Sequence, residues 1–125
     1  VAILGALEQV NPKMPVTMEA AVLTQMNRRG QIKGCSIDGP FALDNAISKK
    51  AAEHKGLVSS VAGDADILIV PDIEAGNILY KALVYFSGAK LACSVVGGKK
   101  PVILTSRADS SETKLNSIAL SILLS

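Results

Sequence analysis

Asp66-Ile67-Leu68-Ile69-Val70-Pro71-Asp72, followed by Glu74-Ala75-Gly76-Asn77 and an apolar run to Phe86, decides the fold class. Ile67 to Val70 are continuously apolar and end at Pro71-Asp72, the pattern of a central parallel strand buried on both faces. The stretch from Glu74 through about Phe86, stopped at Gly88, reads as a helix, and Leu91 to Val96 reads as the next strand. That order makes a βαβ unit, because parallel strands need a crossover, usually helical. Ile78, Leu79, Ala82, Leu83, Val84 and Phe86, with Tyr80 and Tyr85, leave the helix apolar nearly all round. It is therefore expected to be covered on more than one side, as a central element or against a partner subunit.

Working upstream, Val1-Ala2-Ile3-Leu4 is another buried-strand run; with no initiator Met before it, it reads as part of a longer protein. The loop Asn11-Pro12-Lys13-Met14-Pro15 leads to a helix from about Thr17 to Arg28, with Thr17 as cap, Glu19 at its positive end and Gly30 closing it. Lys33 to Ile37 reads as a short strand ended by an Asp38-Gly39-Pro40 turn, and Leu43 to Lys55 as a helix closed by Gly56. Downstream, Gly97-Gly98-Lys99-Lys100 reads as a turn and Pro101 to Thr105 as the last strand. The final helix begins near Asp109, with Glu112 at capping-box spacing, and carries one apolar stripe of Leu115, Ile118, Ala119, Ile122 and Leu123. Alternating strands and helices imply an α/β protein with a doubly wound sheet.

Composition agrees and excludes several classes. At 125 residues the default is one compact unit, and 49% hydrophobic with 19% charged residues rules out a disordered chain. The net charge is +2 and the basic residues are scattered, so nucleic acid is not an expected partner, although one or two basic groups suffice to hold a small anion. Cys35 and Cys93 are far apart, within apolar stretches and without ligand spacing to His, so they read as reduced, buried thiols with no metal site. His54, between Glu53 and Lys55, reads as a solvated surface residue. No apolar run approaches membrane-spanning length and no charged-then-apolar leader opens the chain, so a soluble cytoplasmic protein with no membrane partner is expected.

Ligands of open α/β sheets collect beyond the carboxyl ends of strands, where helix N-termini present free N–H groups. Two places qualify. At Pro71 to Asn77, Gly76 would let a ligand approach the backbone, and Asn77 and Lys81 form the polar face of the oily helix. They either line a cleft for an anionic or amide-bearing ligand, or Asn77 satisfies the helix start while Lys81 reaches solvent. At Thr105-Ser106-Arg107-Ala108-Asp109 a hydroxyl, a guanidinium and a carboxylate gather before a helix. Arg offers a planar fork that matches phosphate, Ser can donate to a developing oxyanion, and Asp109 reads as a helix cap. No Walker, dinucleotide, zinc or Gly-x-Ser-x-Gly motif is present.

The order Gly63-Asp64-Ala65-Asp66 to Pro71, Glu74-Ala75-Gly76-Asn77 to Lys81, then Pro101 to Thr105-Ser106-Arg107 resembles the phosphate acetyl/butyryltransferase family. Asn11-Pro12-Lys13-Met14-Pro15, Asp38-Gly39-Pro40 and Asp44-Asn45-Ala46-Ile47 are similar too, particularly to the butyryl branch. The resemblance implies acyl transfer between coenzyme A and phosphate with no other cofactor and no metal. It also implies a two-domain fold of the isocitrate/isopropylmalate dehydrogenase type, usually dimeric, with this chain as its C-terminal portion. On that pattern residues to about 100 belong to the second domain and 101–125 return to the first. Ser106 and Arg107 match the family's Ser-Arg motif, with Arg holding phosphate and Ser stabilising the tetrahedral intermediate. Asn77 and Lys81 match its Gly-Asn…Lys helix. Where the acetyl branch places a catalytic Asp, seven residues past Ser106, this chain has Thr113, so the proton acceptor is Asp109, Glu112 or a residue outside the chain.

Overall fold

The computed structural model describes residues 1–125 and divides into two compact units, Val1–Gly76 and Asn77–Ser125. In the first, strands β1 (Ala2–Leu4), β2 (Asp38–Phe41) and β3 (Leu68–Ile69) form a parallel sheet in the order β2-β1-β3. Helices α1 (Pro15–Arg28), α2 (Leu43–Ile47) and α3 (Lys49–His54) accompany it. The parallel α/β class expected from Ile67 to Val70 is therefore found, with three strands. As the central strand β1 is buried along its whole length, and Ala2 and Leu4 join Phe41, Ala46 and Val61 in the core, with Leu57, Leu68 and Val70 packed against it. Apolar side chains removed from water on both faces of the strand supply most of its stabilisation.

Several local expectations change. Helix α1 starts at Pro15, whose missing N–H suits the first turn. Thr17 is not a cap; it is fully buried, its hydroxyl donating to the Met14 carbonyl (2.8 Å) and accepting from the Asn11 N–H (2.8 Å). Gly30 ends the helix at φ 72°, as expected.

The segment Lys33 to Ile37 is not a strand; the strand is Asp38–Phe41, the stretch read as a turn. The Asn27 side chain explains the shift. Its amide donates to the carbonyls of Ile32 (3.0 Å) and Cys35 (2.9 Å) and its oxygen accepts from the Ile37 N–H (3.0 Å). Backbone groups that a strand would use are thus occupied by a side chain. Cys35 consequently lies exposed in a loop and Cys93 is half-buried; both are free thiols, but neither is fully buried. The expected single helix from Leu43 to Lys55 is broken at Ser48, which takes extended angles (φ −127°, ψ 112°) and accepts from the Ala51 N–H (3.3 Å) to cap α3.

Helix α4 (Ile73–Ser87) is capped by Asp72, whose Oδ1 accepts from the Ala75 N–H (2.7 Å), and it continues into the second unit. That unit also contains helix α5 (Ser111–Leu123). Leu91 to Val96 and Pro101 to Thr105 do not form strands. Only Val95 and Val102 exchange an antiparallel pair of hydrogen bonds, 2.8 and 3.2 Å. A strand exists only where a neighbour accepts its ladder, and here just one rung has a partner. The sheet of the first unit has three strands.

Helix α5 is capped by Ser110 and not by Asp109; the Ser110 hydroxyl accepts from the Thr113 N–H (3.1 Å). Its buried residues are Ser117 and Ser121, while Leu115, Ile118, Ile122 and Leu123 of the apolar stripe are exposed. Ser117 Oγ accepts from the Cys93 N–H (2.9 Å) and Ser121 Oγ bonds Ser94 Oγ (3.0 Å), so small hydroxyls tie the 93–94 segment to the helix. Helix α4 has no fully buried residue, and Ile78, Tyr85 and Phe86 are exposed. The cover expected for this helix is not supplied within the chain. No helix is long and apolar enough to cross a membrane.

Candidate functional site

The Ser106-Arg107 dipeptide lies in a tight turn immediately before α5. The Ser106 N–H donates to Asp109 Oδ2 (2.7 Å), the Asp109 N–H donates to the Ser106 carbonyl (3.1 Å), and the Ala108 N–H donates to Ser106 Oγ (3.4 Å). This reciprocal bonding between residues three apart suits Ser and Asp, whose short side chains bond nearby backbone readily. Arg107 is exposed and in no ion pair within the chain.

Asp109 does more than close the turn. Its Oδ1 accepts a 2.5 Å hydrogen bond from the Tyr80 hydroxyl on α4. The donated proton favours the carboxylate and holds Asp109 below the usual Asp range, while the same bond, with burial, raises the Tyr80 hydroxyl to about 12. With both oxygens engaged and its basicity lowered, Asp109 is a poor proton acceptor. Glu112, largely exposed, accepts from Lys90 Nζ at 2.7 Å, and this bond raises Lys90 above the ordinary Lys value.

Tyr80, Lys81, Tyr85, Asp109, Thr113 and Asn116 are among the walls of a cavity of about 340 Å³. Lys81 Nζ sits over the Tyr80 ring, 4.6 Å from its centre, and 6.0 Å from that of Tyr85, a cation–π arrangement that keeps its charge at the cavity edge. Asn77 is exposed and shares with Lys81 a separate apolar groove along α4, beside Ile78 and Phe86. Lys81 thus joins the cavity, whereas Asn77, Ser106 and Arg107 are not among its walls. Gly76 lies in the first turn of α4, where an added Cβ would meet Val70 Cγ2 at 3.0 Å, so Val70 takes the space that the glycine leaves.

Tyr80 was not singled out from the sequence, where it passes for one more apolar position of the oily helix. Its signal is the phenol itself, because a tyrosine turned inward needs a partner for its hydroxyl.

The first unit is a parallel α/β sheet with its helices, and the second carries a turn with Ser106 and an unpaired Arg107. Residues 1–122 match the model of the family described as phosphate acetyl/butaryl transferase, and the chain belongs to that family. It is 69% identical over 121 residues to the phosphate acetyltransferase of Thermotoga maritima, covering 97% of this chain and 41% of that protein. It is 60% identical over 124 residues to the phosphate butyryltransferase of Clostridium beijerinckii, covering 99% of this chain and 41% of the relative. A crystal structure of a branched-chain phosphotransacylase from Enterococcus faecalis superposes with a TM-score of 0.84 at 43% identity, over 97% of this chain and 43% of that one. The chain therefore spans about two fifths of the length of the curated relatives it matches.

Proposed function

We propose that the full-length protein moves a short-chain acyl group, acetyl or butyryl, reversibly between coenzyme A and inorganic phosphate. The observation that carries this reading is the Ser106 hydroxyl beside the unpaired Arg107 guanidinium, in a family whose relatives are named for that transfer. The coenzyme A sulfur attacks the acyl-phosphate carbonyl, the Ser106 hydroxyl donates to the oxyanion, and Arg107 holds the departing phosphate through charge-assisted hydrogen bonds. Coenzyme A is a substrate, and the scheme uses no metal or other cofactor. The engagement of both Asp109 oxygens favours Glu112 or a residue outside this chain as the proton acceptor. Lys81 at the cavity edge and Asn77 in the groove along α4 are the candidate substrate contacts of that helix, and Gly76 lies in its first turn against Val70.

The same reading puts the chain in a cytoplasmic homodimer of the isocitrate/isopropylmalate dehydrogenase-like two-domain type. There residues to about 100 form part of the second domain and 101–125 return to the first, with neither nucleic acid nor membrane as partner. In the full-length enzyme, Ser106→Ala should slow turnover by about a hundredfold, the usual cost of one oxyanion donor. Normal turnover in that variant would refute the role.

A second reading is favoured by the exposed Ile78, Tyr85 and Phe86 of α4: by itself this piece is a non-catalytic dimerisation and scaffold module. The isolated chain is then expected to release no thiol from butyryl-coenzyme A and phosphate. Measurable release would overturn it.

A further inference from the structure

We infer that Tyr80 and Asp109 are positioning residues for the Ser106-Arg107 turn, an inference that rests on the acyl-transfer reading above. The turn precedes α5 and follows a segment with a single β-rung, so neither a strand ladder nor a helix fixes its backbone. Two bonds within the turn, the Asp109 N–H to the Ser106 carbonyl and the Ala108 N–H to Ser106 Oγ, are local; the tie to the rest of the unit is the Asp109 carboxylate. Asp109 Oδ2 takes the Ser106 N–H at 2.7 Å and Oδ1 takes the Tyr80 hydroxyl at 2.5 Å, joining the turn to the middle of α4. Tyrosine suits the anchoring end, because a rigid ring with two rotatable bonds delivers its hydroxyl at little entropic cost.

Two consequences follow for the chemistry. The Ser106 amide is spent on Asp109, so the donor left for an oxyanion is the Ser106 hydroxyl. Its direction, and that of the neighbouring guanidinium, then depends on backbone angles held by the Asp109 bond. Misplacing a reacting group by about 1 Å can cost roughly a hundredfold in rate, so the tie matters without either residue touching substrate.

The test uses steady-state kinetics of the full-length enzyme with phosphate and coenzyme A varied separately. Asp109→Ala is expected to lower kcat about 10- to 100-fold and raise the KM for phosphate, with the KM for coenzyme A within about twofold of the parent. Asp109→Asn should return kcat to within about fivefold, since its amide oxygen still accepts the Ser106 N–H. Tyr80→Phe, which keeps the ring and is the variant least prone to misfold, should fall between them. In a Ser106→Ala background, adding Asp109→Ala should cost less than about threefold, because residues acting as a unit are not additive.

Parental kcat in both Asp109→Ala and Tyr80→Phe, with Ser106→Ala slowed, would overturn the inference and leave acyl transfer standing. Asp109→Asn as inactive as Asp109→Ala would also overturn it, in favour of a carboxylate that takes the proton itself. Equal weakening of both substrates alongside a lowered Tm would reduce the pair to a structural contact. Ser106→Ala at the parental rate would remove the reading beneath the inference, and the inference with it.

Discussion

Replacing Gly63 by Ala probes how the loop before β3 is seated. Gly63 has φ +76°, and an added Cβ would stand 2.5 Å from Lys49 Cα, 2.6 Å from Lys49 N and 2.9 Å from the Ser48 carbonyl carbon, all backbone atoms. The residue is also fixed by its own N–H, which donates to the Asn45 carbonyl at 2.7 Å. Carbon contacts settle near 3.5 to 4.0 Å, so the start of α3 or the loop must move by roughly 1 Å. A left-handed alanine costs about 1–2 kcal/mol, the forced shift about 1–3, and the stiffer unfolded chain returns about 0.4–1, for a net loss of about 2–4 kcal/mol. Gly34 is the control: φ is +86° and nothing lies within 4 Å of its virtual Cβ, so Gly34→Ala incurs only the conformational part, about 1 kcal/mol. Urea unfolding followed by far-UV circular dichroism separates the two, with the Gly63→Ala midpoint lower by about 1 M or more. Equal midpoints would refute the argument that backbone proximity makes Gly63 necessary.

Arg107→Ala in the full-length enzyme should raise the KM for phosphate about 10- to 100-fold, the range of lost charged hydrogen bonds, with little change for coenzyme A. Unchanged phosphate dependence would return Arg107 to an ordinary surface residue. Asn27→Ala removes all three bonds to residues 32, 35 and 37 and should cost about 2–4 kcal/mol in urea unfolding, at roughly 1 kcal/mol each. A loss below about 0.5 kcal/mol would mean that the loop holds itself. Asp109 is lowered chiefly by Tyr80, and Glu8 chiefly by Lys55. A depressed folded pKa stabilises above the unfolded value and is lost as pH falls through the folded one. Tm should therefore hold from neutrality to about pH 4 and decline below it, less steeply in Asp109→Asn. Tyr80 works in the opposite sense: its contribution is present below the unfolded value of 10.0 and is lost as pH rises towards about 12. An acid limb unaltered in Asp109→Asn would contradict the Asp109 assignment.

Features that depend on near neighbours along the chain were legible in the residues alone. The apolar runs at Val1 to Leu4 and Ile67 to Val70 marked β1 and β3; helical stretches closed by glycine marked α1 and α4, and capping spacing with an apolar stripe marked α5, to within a few residues. The parallel α/β class followed from their order, and the Ser106-Arg107 motif from side-chain types that a single dipeptide displays. Tertiary structure decided whatever needed a distant partner. A strand is defined by its neighbour, so Asp38–Phe41 paired with β1 although it contains Gly39-Pro40, while Pro101 to Thr105, fully strand-like in composition, found one rung. The buried face of α5 turned out to be Ser117 and Ser121 because the 93–94 segment offered them hydrogen bonds, which apolar periodicity does not encode. The tie from Tyr80 to Asp109 joins residues 29 positions apart, and only the folded chain brings that phenol to the carboxylate that holds Ser106.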